Sequence, residues 1–278
     1  MCQLLGMNSA QPADTRFSFT GFAQRGGATD SHGDGFGIGF FEDKVCRLFI
    51  DNQPAATSPV ADLIKHYPIK SKNVISHIRK ATQGDALQLQ NCHPFLRELC
   101  GRHWLFAHNG DLIDYAPVAG KRYQPIGETD SELAFCELME AIINIEDGHG
   151  ACPEALSFAV IARVTERIAA HGVFNYLLSN GKFMVVHCST NLYLLQRSWP
   201  FAEAALIDAD MRMDFSQTNS PQDRIAIVAT QPLTHGENWR KLEAGELLLL
   251  RDGQIVQETK LHVSDEVRAK NAANLACV

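Results

Sequence analysis

Short apolar runs separated by Gly, Asp and Asn turns make up the first half of the chain, and that pattern marks them as strands. The spacing predicts strands over Gln3–Met7, Gly35–Glu42, Val45–Asp51, Asn73–Ile78 and Trp104–His108, each bounded by turn residues. A helix is expected to start after Ser58, with Ser58 as N-cap and Pro59 at the first helical position, and to stop before Pro68. Two longer helices follow. One begins near Asp130 and carries Leu133, Cys136, Met139, Ile142 and Ile143 at helical spacing. The other runs from about Pro153 to Ala170, with Leu156, Val160, Val164 and Ile168 on one stripe and Gly172 as its stop.

Strand patterns then return at Phe174–Leu178, Lys182–Cys188, Leu192–Leu195, Arg224–Thr230 and Glu246–Leu250. The Ser179-Asn180-Gly181 turn between Phe174–Leu178 and Phe183–His187 predicts a hairpin. Strands, a helical pair and more strands describe an α+β layered domain rather than alternating βαβ units. No internal repeat and no Pro- or Ser-rich linker divides the chain. One domain is therefore expected over residues 1–260, followed by a polar C-terminal tail at 261–278.

Composition narrows the function. The 278 residues carry a net charge of -7, which argues against the basic stripes that phosphate backbones require, so no nucleic acid partner is expected. No apolar stretch approaches the ~18 residues of a membrane span, and the first residues lack the basic and apolar regions of a signal peptide. Eight cysteines (Cys2, Cys46, Cys92, Cys100, Cys136, Cys152, Cys188 and Cys277) are scattered without a Cys-x-x-Cys pair. This favours reduced thiols and a cytoplasmic protein over a disulfide framework or a zinc ribbon. Several of them sit in apolar runs as small core residues.

Cys2 is the first candidate for chemistry. Removal of Met1 would leave a thiol and a free α-amine on the same residue. An α-amine titrates at ~7.7–8.0 and can act as base for its own thiol. By itself Cys2 reads as a start codon's neighbour, and it is four other segments that turn the reading to chemistry. His77-Ile78-Arg79-Lys80-Ala81-Thr82 closes a strand, and Asn91-Cys92-His93-Pro94-Phe95 follows in a loop. Phe106-Ala107-His108-Asn109-Gly110 ends another strand, and Gly127-Glu128-Thr129-Asp130-Ser131-Glu132 opens a helix. In order and approximate spacing, these segments together with Cys2-Gln3-Leu4-Leu5-Gly6 resemble the glutaminase domain of class II glutamine amidotransferases, in particular its stand-alone bacterial type.

That resemblance implies an N-terminal-nucleophile hydrolase fold, a four-layer αββα sandwich of two antiparallel sheets between helical layers. It implies Cys2 as nucleophile, with the Asn109 side-chain amide and Gly110 N–H as oxyanion donors. It assigns Arg79 to the substrate α-carboxylate and Asp130 to the α-ammonium, with Thr82 as a hydroxyl partner and His93 as an orienting group. Outside the resemblance, Asn109-Gly110 would read as a tight turn, Arg79 as a surface ion pair, Asp130 as a helix cap and His93 as structural. The implied substrate is glutamine or another γ-glutamyl amide, with no cofactor and no metal, and with an ammonia-accepting protein as a possible partner.

Two positions depart from the large synthase members: Lys80 stands where they carry an aromatic, and Gln83 where they carry His. That puts coupling to an acceptor site in doubt rather than hydrolysis. The glycine-rich run from His32 to Gly39 lacks the full dinucleotide fingerprint and is followed by a strand pattern rather than a helix. By resemblance it is the loop and strand beside the nucleophile, with Asp34 as an anchor. His103 and His108, five apart on a strand, should face opposite ways and share no metal. Competing classes are a γ-glutamyl amide hydrolase of a specialised pathway, a non-catalytic glutamine-binding module, and an acylase of the penicillin or bile-salt type. The Arg79/Thr82 and Asn109-Gly110 segments favour the amidotransferases over the acylases.

Overall fold

Alternation along the first strand separates two cores. Leu4 belongs to one apolar cluster and Leu5 and Met7 to another, so the strand is covered on both faces. The computed structural model describes residues 2–80, 88–117, 120–149 and 154–262. The expected tail at 261–278 falls, beyond residue 262, outside the described residues. A seven-stranded antiparallel sheet runs in the order β14 (Arg240–Lys241), β9 (Tyr193–Ser198), β12 (Arg224–Ala229), β1 (Gln3–Asp14), β4 (Lys70–Ile78), β2 (Phe36–Glu42) and β3 (Val45–Asp51). A six-stranded antiparallel sheet runs β16 (Gln254–Lys260), β15 (Glu246–Arg251), β8 (Met184–His187), β7 (Asn175–Ser179), β6 (Arg102–Asn109) and β5 (Phe95–Leu99).

Three cores separate four layers. Helices α1 (Arg16–Gln24) and α2 (Pro59–His66) lie against the outer face of the seven-stranded sheet through Phe19, Phe22, Ala61 and Ile64. The two sheets meet face to face through Leu4, Ile75, Ala226 and Val228 on one side and Leu105, Ala107, Leu177 and Val186 on the other. Helices α3 (Asp130–His149) and α4 (Glu154–Ala169) cover the outer face of the six-stranded sheet, with Phe135 and Ile161 packed near Phe106 and Tyr176. The architecture is thus the αββα sandwich expected from the sequence. The predicted hairpin forms, with Ser179 opposite Met184. A small third sheet, β11 (Arg212–Asp214), β10 (Glu203–Leu206) and β13 (Thr234–His235), is an addition that no sequence pattern announced.

Two local differences have clear causes. Strand β1 runs beyond Met7 because Asn8 is buried yet satisfied: its amide donates to Asn73 Oδ1 at 2.8 Å, and its own Oδ1 accepts from Gly253 N at 2.8 Å. Helix α1 was hidden because its aromatics serve two cores. Phe19 and Phe22 face the main sheet while Phe17 joins Phe215 and Leu206, so no single stripe appears. Helix α2 starts as expected: fully buried Ser58 accepts from Val60 N at 3.1 Å and Ala61 N at 3.3 Å, and donates to Asp51. Ser58→Ala is expected to cost about 1–2 kcal/mol, read as a lower urea midpoint at unchanged slope.

Candidate active site

Strand polarity gathers the candidate residues at one end of the sandwich. Gln3, at the start of β1, pairs with Ile78 at the end of β4, and Ile78 also pairs with Phe36 at the start of β2. In the other sheet, Asn109 at the end of β6 pairs with Asn175 at the start of β7. Cys2, Arg79 and Gly110 are therefore the residues that run off these strand ends.

Cys2 is held by backbone. Lys80 N donates to Cys2 Sγ at 3.3 Å, and the thiol lies 3.4 Å from Lys80 O, which it can donate to. The next turn of β1 is pinned from β12: Leu4 N donates to Thr230 Oγ1 at 2.9 Å, and Thr230 N donates to Leu4 O at 3.1 Å. Cys2 is half-buried, and that burial pushes the pKa of its thiol up. The Lys80 N–H and the Arg79 charge oppose that shift, and Asp111 adds to it. At neutral pH the thiol stays protonated and needs a base.

Arg79 follows β4 and is fixed by a two-way backbone clamp. Arg79 N donates to Gly35 O at 2.9 Å, and Asp34 N donates to Arg79 O at 3.2 Å. The glycine-rich run thus forms the loop and strand beside Cys2, with Asp34 as a backbone anchor, as the resemblance implied. Arg79 also acts electrostatically on Cys2, Cys92, His77 and His93. Thr82 and Gln83 lie outside the described residues.

Asn109 is almost fully buried, and neither its Nδ2 nor its Oδ1 has a hydrogen-bond partner among the described residues. Its backbone, by contrast, is fixed. Asn109 O accepts from Asn175 Nδ2 at 3.1 Å, and Asn175 also donates to Thr190 and accepts from Ser189 N and Thr190 N. Gly110 follows at φ +154°, where a Cβ would meet Val173 O at 1.9 Å, so only glycine fits this approach. Asp130 closes the turn that follows: its Oδ2 accepts from Leu112 N at 2.7 Å and its Oδ1 from Ser131 N at 2.7 Å. The helix cap is supplied by Thr129, whose hydroxyl accepts from Glu132 N at 3.2 Å. Asp130 is the first helical residue and holds the Gly110 turn against α3. Glu132, buried beside it, pairs with Arg97 and accepts from Gly127 N at 2.7 Å.

His93 is not an open wall of the site. It is buried, and its ring packs at a tilt against His77, 4.2 Å between ring centroids, and against Phe95 at 4.4 Å. His77 lies in the same motif as Arg79, two residues before it, and no sequence pattern marks it for a role. His108 points to the helical side, where its ring contacts Ser131 Oγ at 2.8 Å and Val173 O at 2.9 Å. His103 faces away and accepts from Cys46 N at 3.0 Å. Desolvation comes first for each buried ring: it lowers His77 to about 3, His187 to about 4, and pushes His93 and His108 below the usual imidazole range.

These shifts carry a sign. An unfolded His binds a proton below about 6.5, whereas folded His77 does not until about 3, so the unfolded state takes up more protons in between. The stabilisation is complete above about 6.5 and declines as pH falls. For His77 alone the loss at pH 5 is about 2 kcal/mol. Urea midpoints are expected to fall steadily from pH 7 to pH 5, and His77→Gln is expected to flatten that slope.

A cavity of about 560 Å³ opens beside Cys2, lined by Asp30, His32, Lys80, Asn191, Tyr193 and Gln231 among others. Lys80 Nζ lies 3.2 Å from Ser31 Oγ, and His32 Nδ1 lies 3.0 Å from Asp30 Oδ2. Among the described residues no helix is long and apolar enough to cross a membrane.

Comparison with known proteins bears on the same residues. A family model described as class-II glutamine amidotransferases matches residues 1–274. A protein of Haemophilus influenzae named "Putative glutamine amidotransferase" is 49% identical, over 93% of this chain and 87% of that protein. Its counterpart YafJ in Escherichia coli, named in the same words, is 46% identical over 92% of this chain and 100% of that protein. A solved structure from Pseudomonas aeruginosa, described as a "predicted glutamine amidotransferase", superimposes with a TM-score of 0.74 at 38% identity. That match covers 92% of this chain and 100% of that one.

Proposed function

The chain belongs to the class-II glutamine amidotransferase family, and from that premise we propose that it cleaves the side-chain amide of glutamine or another γ-glutamyl amide through a γ-glutamyl thioester on Cys2. The observation that carries this reading is the buried, unpartnered amide of Asn109 at the strand end facing the Cys2 segment. Buried polar groups are hydrogen-bonded in about nine cases of ten, so an orphaned donor at this end marks a place kept for a ligand atom.

In the proposed cycle, the α-amine of processed Cys2 takes the thiol proton and sulfur attacks the amide carbonyl. The oxyanion that forms is held by Asn109 Nδ2 and Gly110 N–H. The C–N bond then breaks, the amine-held proton leaves with ammonia or an amine, and water hydrolyses the thioester to glutamate. Arg79 holds the substrate α-carboxylate; Asp130 and Thr82 complete the amino-acid end, and His93 supports Arg79 from behind. The protein is read as a cytoplasmic enzyme needing neither cofactor nor metal, working alone or beside an ammonia-accepting protein.

The cavity beside Cys2 favours a second reading within the same chemistry. Its ~560 Å³ is ample for an organic leaving amine and far more than ammonia requires. Turnover of glutamine and of a panel of N-substituted γ-glutamyl amides by processed protein separates the two: poor glutamine turnover with rapid substituted-amide turnover selects the dedicated amide hydrolase. Incubation with 6-diazo-5-oxonorleucine tests both. A mass adduct on the Cys2 peptide is expected, while binding without any adduct would make the protein a non-catalytic glutamine-binding module.

A further inference from the structure

Far from Cys2, a cavity of about 670 Å³ opens at the other end of β1. The twelve residues of β1 span ~40 Å at ~3.3 Å per residue, less wherever the strand bends, so this cavity and the nucleophile are well separated.

Three features converge on it. The pairing of β1 with β4 breaks after Asn8↔Asn73 and resumes at Ala13↔Ser71. Four β1 residues, 9 to 12, therefore stand opposite the single residue Lys72. This enlarged bulge lifts Gln11 and Pro12 out of the ladder and into the cavity wall. Bulges re-aim residues beside functional sites and disrupt pairing that a plain strand would keep. The opposite wall is the small third sheet with its 3-10 turn Phe215–Gln217, which supplies Met211, Met213 and Phe215. Phe215 is locked in place, edge-on to Phe17 at 5.4 Å and capped by the Arg197 guanidinium at 4.3 Å.

Charge supplies the third feature. The chain as a whole carries 25 basic and 32 acidic residues. The cavity lining reverses that balance, with Arg16, Lys65, Lys70 and Arg224 against Asp14 and Asp223; Arg16 pairs with Asp14 and Lys65 with Asp62 at the rim, which leaves Lys70 and Arg224 as the surplus. Asn219 also lines it, with a buried Nδ2 that has no hydrogen-bond partner among the described residues. An aromatic and thioether floor, a cationic surplus and an unused buried donor share one recess, and its volume lies in the range of small-molecule pockets. We propose that this recess is a second ligand site, for a small organic anion with an aromatic or aliphatic body. The apolar body lies on Phe215 and Met213, the anion faces Lys70 with Lys65 beside it on its Asp62 pair, and Asn219 Nδ2 donates to it.

Fluorescent probes of matched shape test this in the full-length protein. The anion 8-anilinonaphthalene-1-sulfonate is expected to bind one saturable site per chain, and neutral N-phenyl-1-naphthylamine at least tenfold more weakly. The double variant Lys65→Gln/Lys70→Glu should weaken the anionic probe at least tenfold while alkylation of Cys2 leaves binding unchanged. Asn219→Asp, which places a carboxylate at the buried amide, provides an independent second reading if the double variant fails to fold by circular dichroism. Equal affinity for the two probes, non-saturating binding, or unchanged affinity in a folded variant would overturn the proposal.

Discussion

Protein with Met1 still joined to Cys2 is expected to hydrolyse glutamine at least 100-fold more slowly than processed protein. With Met1 attached, the Cys2 nitrogen is an amide and cannot accept a proton. The loss is large because, among the described residues, the Cys2 thiol has only backbone hydrogen-bond partners. Burial keeps the Cys2 thiol protonated, and its direct partners are the Lys80 backbone N–H and C=O. His77, an imidazole of the same strand end, is driven to about 3 and is a poor base at neutral pH. The freed α-amine, near ~7.7–8.0, falls in the useful range, and general-base help of this kind is worth ~10²–10⁴ in rate. The comparison is a fusion whose protease cleavage leaves Cys2 first, assayed for ammonia before and after cleavage, with intact mass confirming the terminus. Cys2→Ala should abolish both the turnover and the diazo-ketone adduct. Comparable turnover by the uncleaved fusion would refute the amine mechanism while leaving thiol attack standing.

Much of this was legible in the chain itself, and the reasons are physical. Strands whose faces both pack showed as apolar runs, and Ser58-Pro59 marked a helix start because the cap chemistry is local. Residues that hold the site through distant strands were silent. Asn175 fixes the Asn109 carbonyl and Thr230 fixes Leu4 across 226 positions, yet each is a lone polar residue at a strand end with no pattern around it. Asp130 illustrates a mixed case. Its position at the start of a helix was readable, but its two bonds to Leu112 N and Ser131 N make it the clasp of the Gly110 turn, and Thr129 does the capping. The motif gives His93 an orienting role; its tilted packing against His77 puts that role behind the pocket wall. The third sheet escaped notice because strands of two to four residues are too short for alternation to register.

Asn109→Ala is expected to lower kcat about 10²–10³-fold without lowering stability, and that pairing separates a catalytic role from a structural one. An oxyanion donor contributes only as charge develops on the carbonyl oxygen, so its removal reduces kcat and kcat/KM together. The free protein should not miss the amide. Both polar atoms of Asn109 are buried and unpartnered among the described residues, a state that costs free energy in the resting fold rather than supplying it. What secures the segment is its main chain: the Asn109 carbonyl on Asn175, the Asp111 carbonyl on Val173 N, and Leu112 N on Asp130. Those contacts survive the substitution, so the melting temperature is expected to stay level or rise slightly, as when function alone keeps a group unsatisfied. Gly110→Ala makes the contrasting control. Its Cβ would collide with the Val173 carbonyl, so activity and melting temperature should fall together. A folded Asn109→Ala protein that keeps full kcat would remove Asn109 from the oxyanion site; a marked loss of stability would make its amide a structural group.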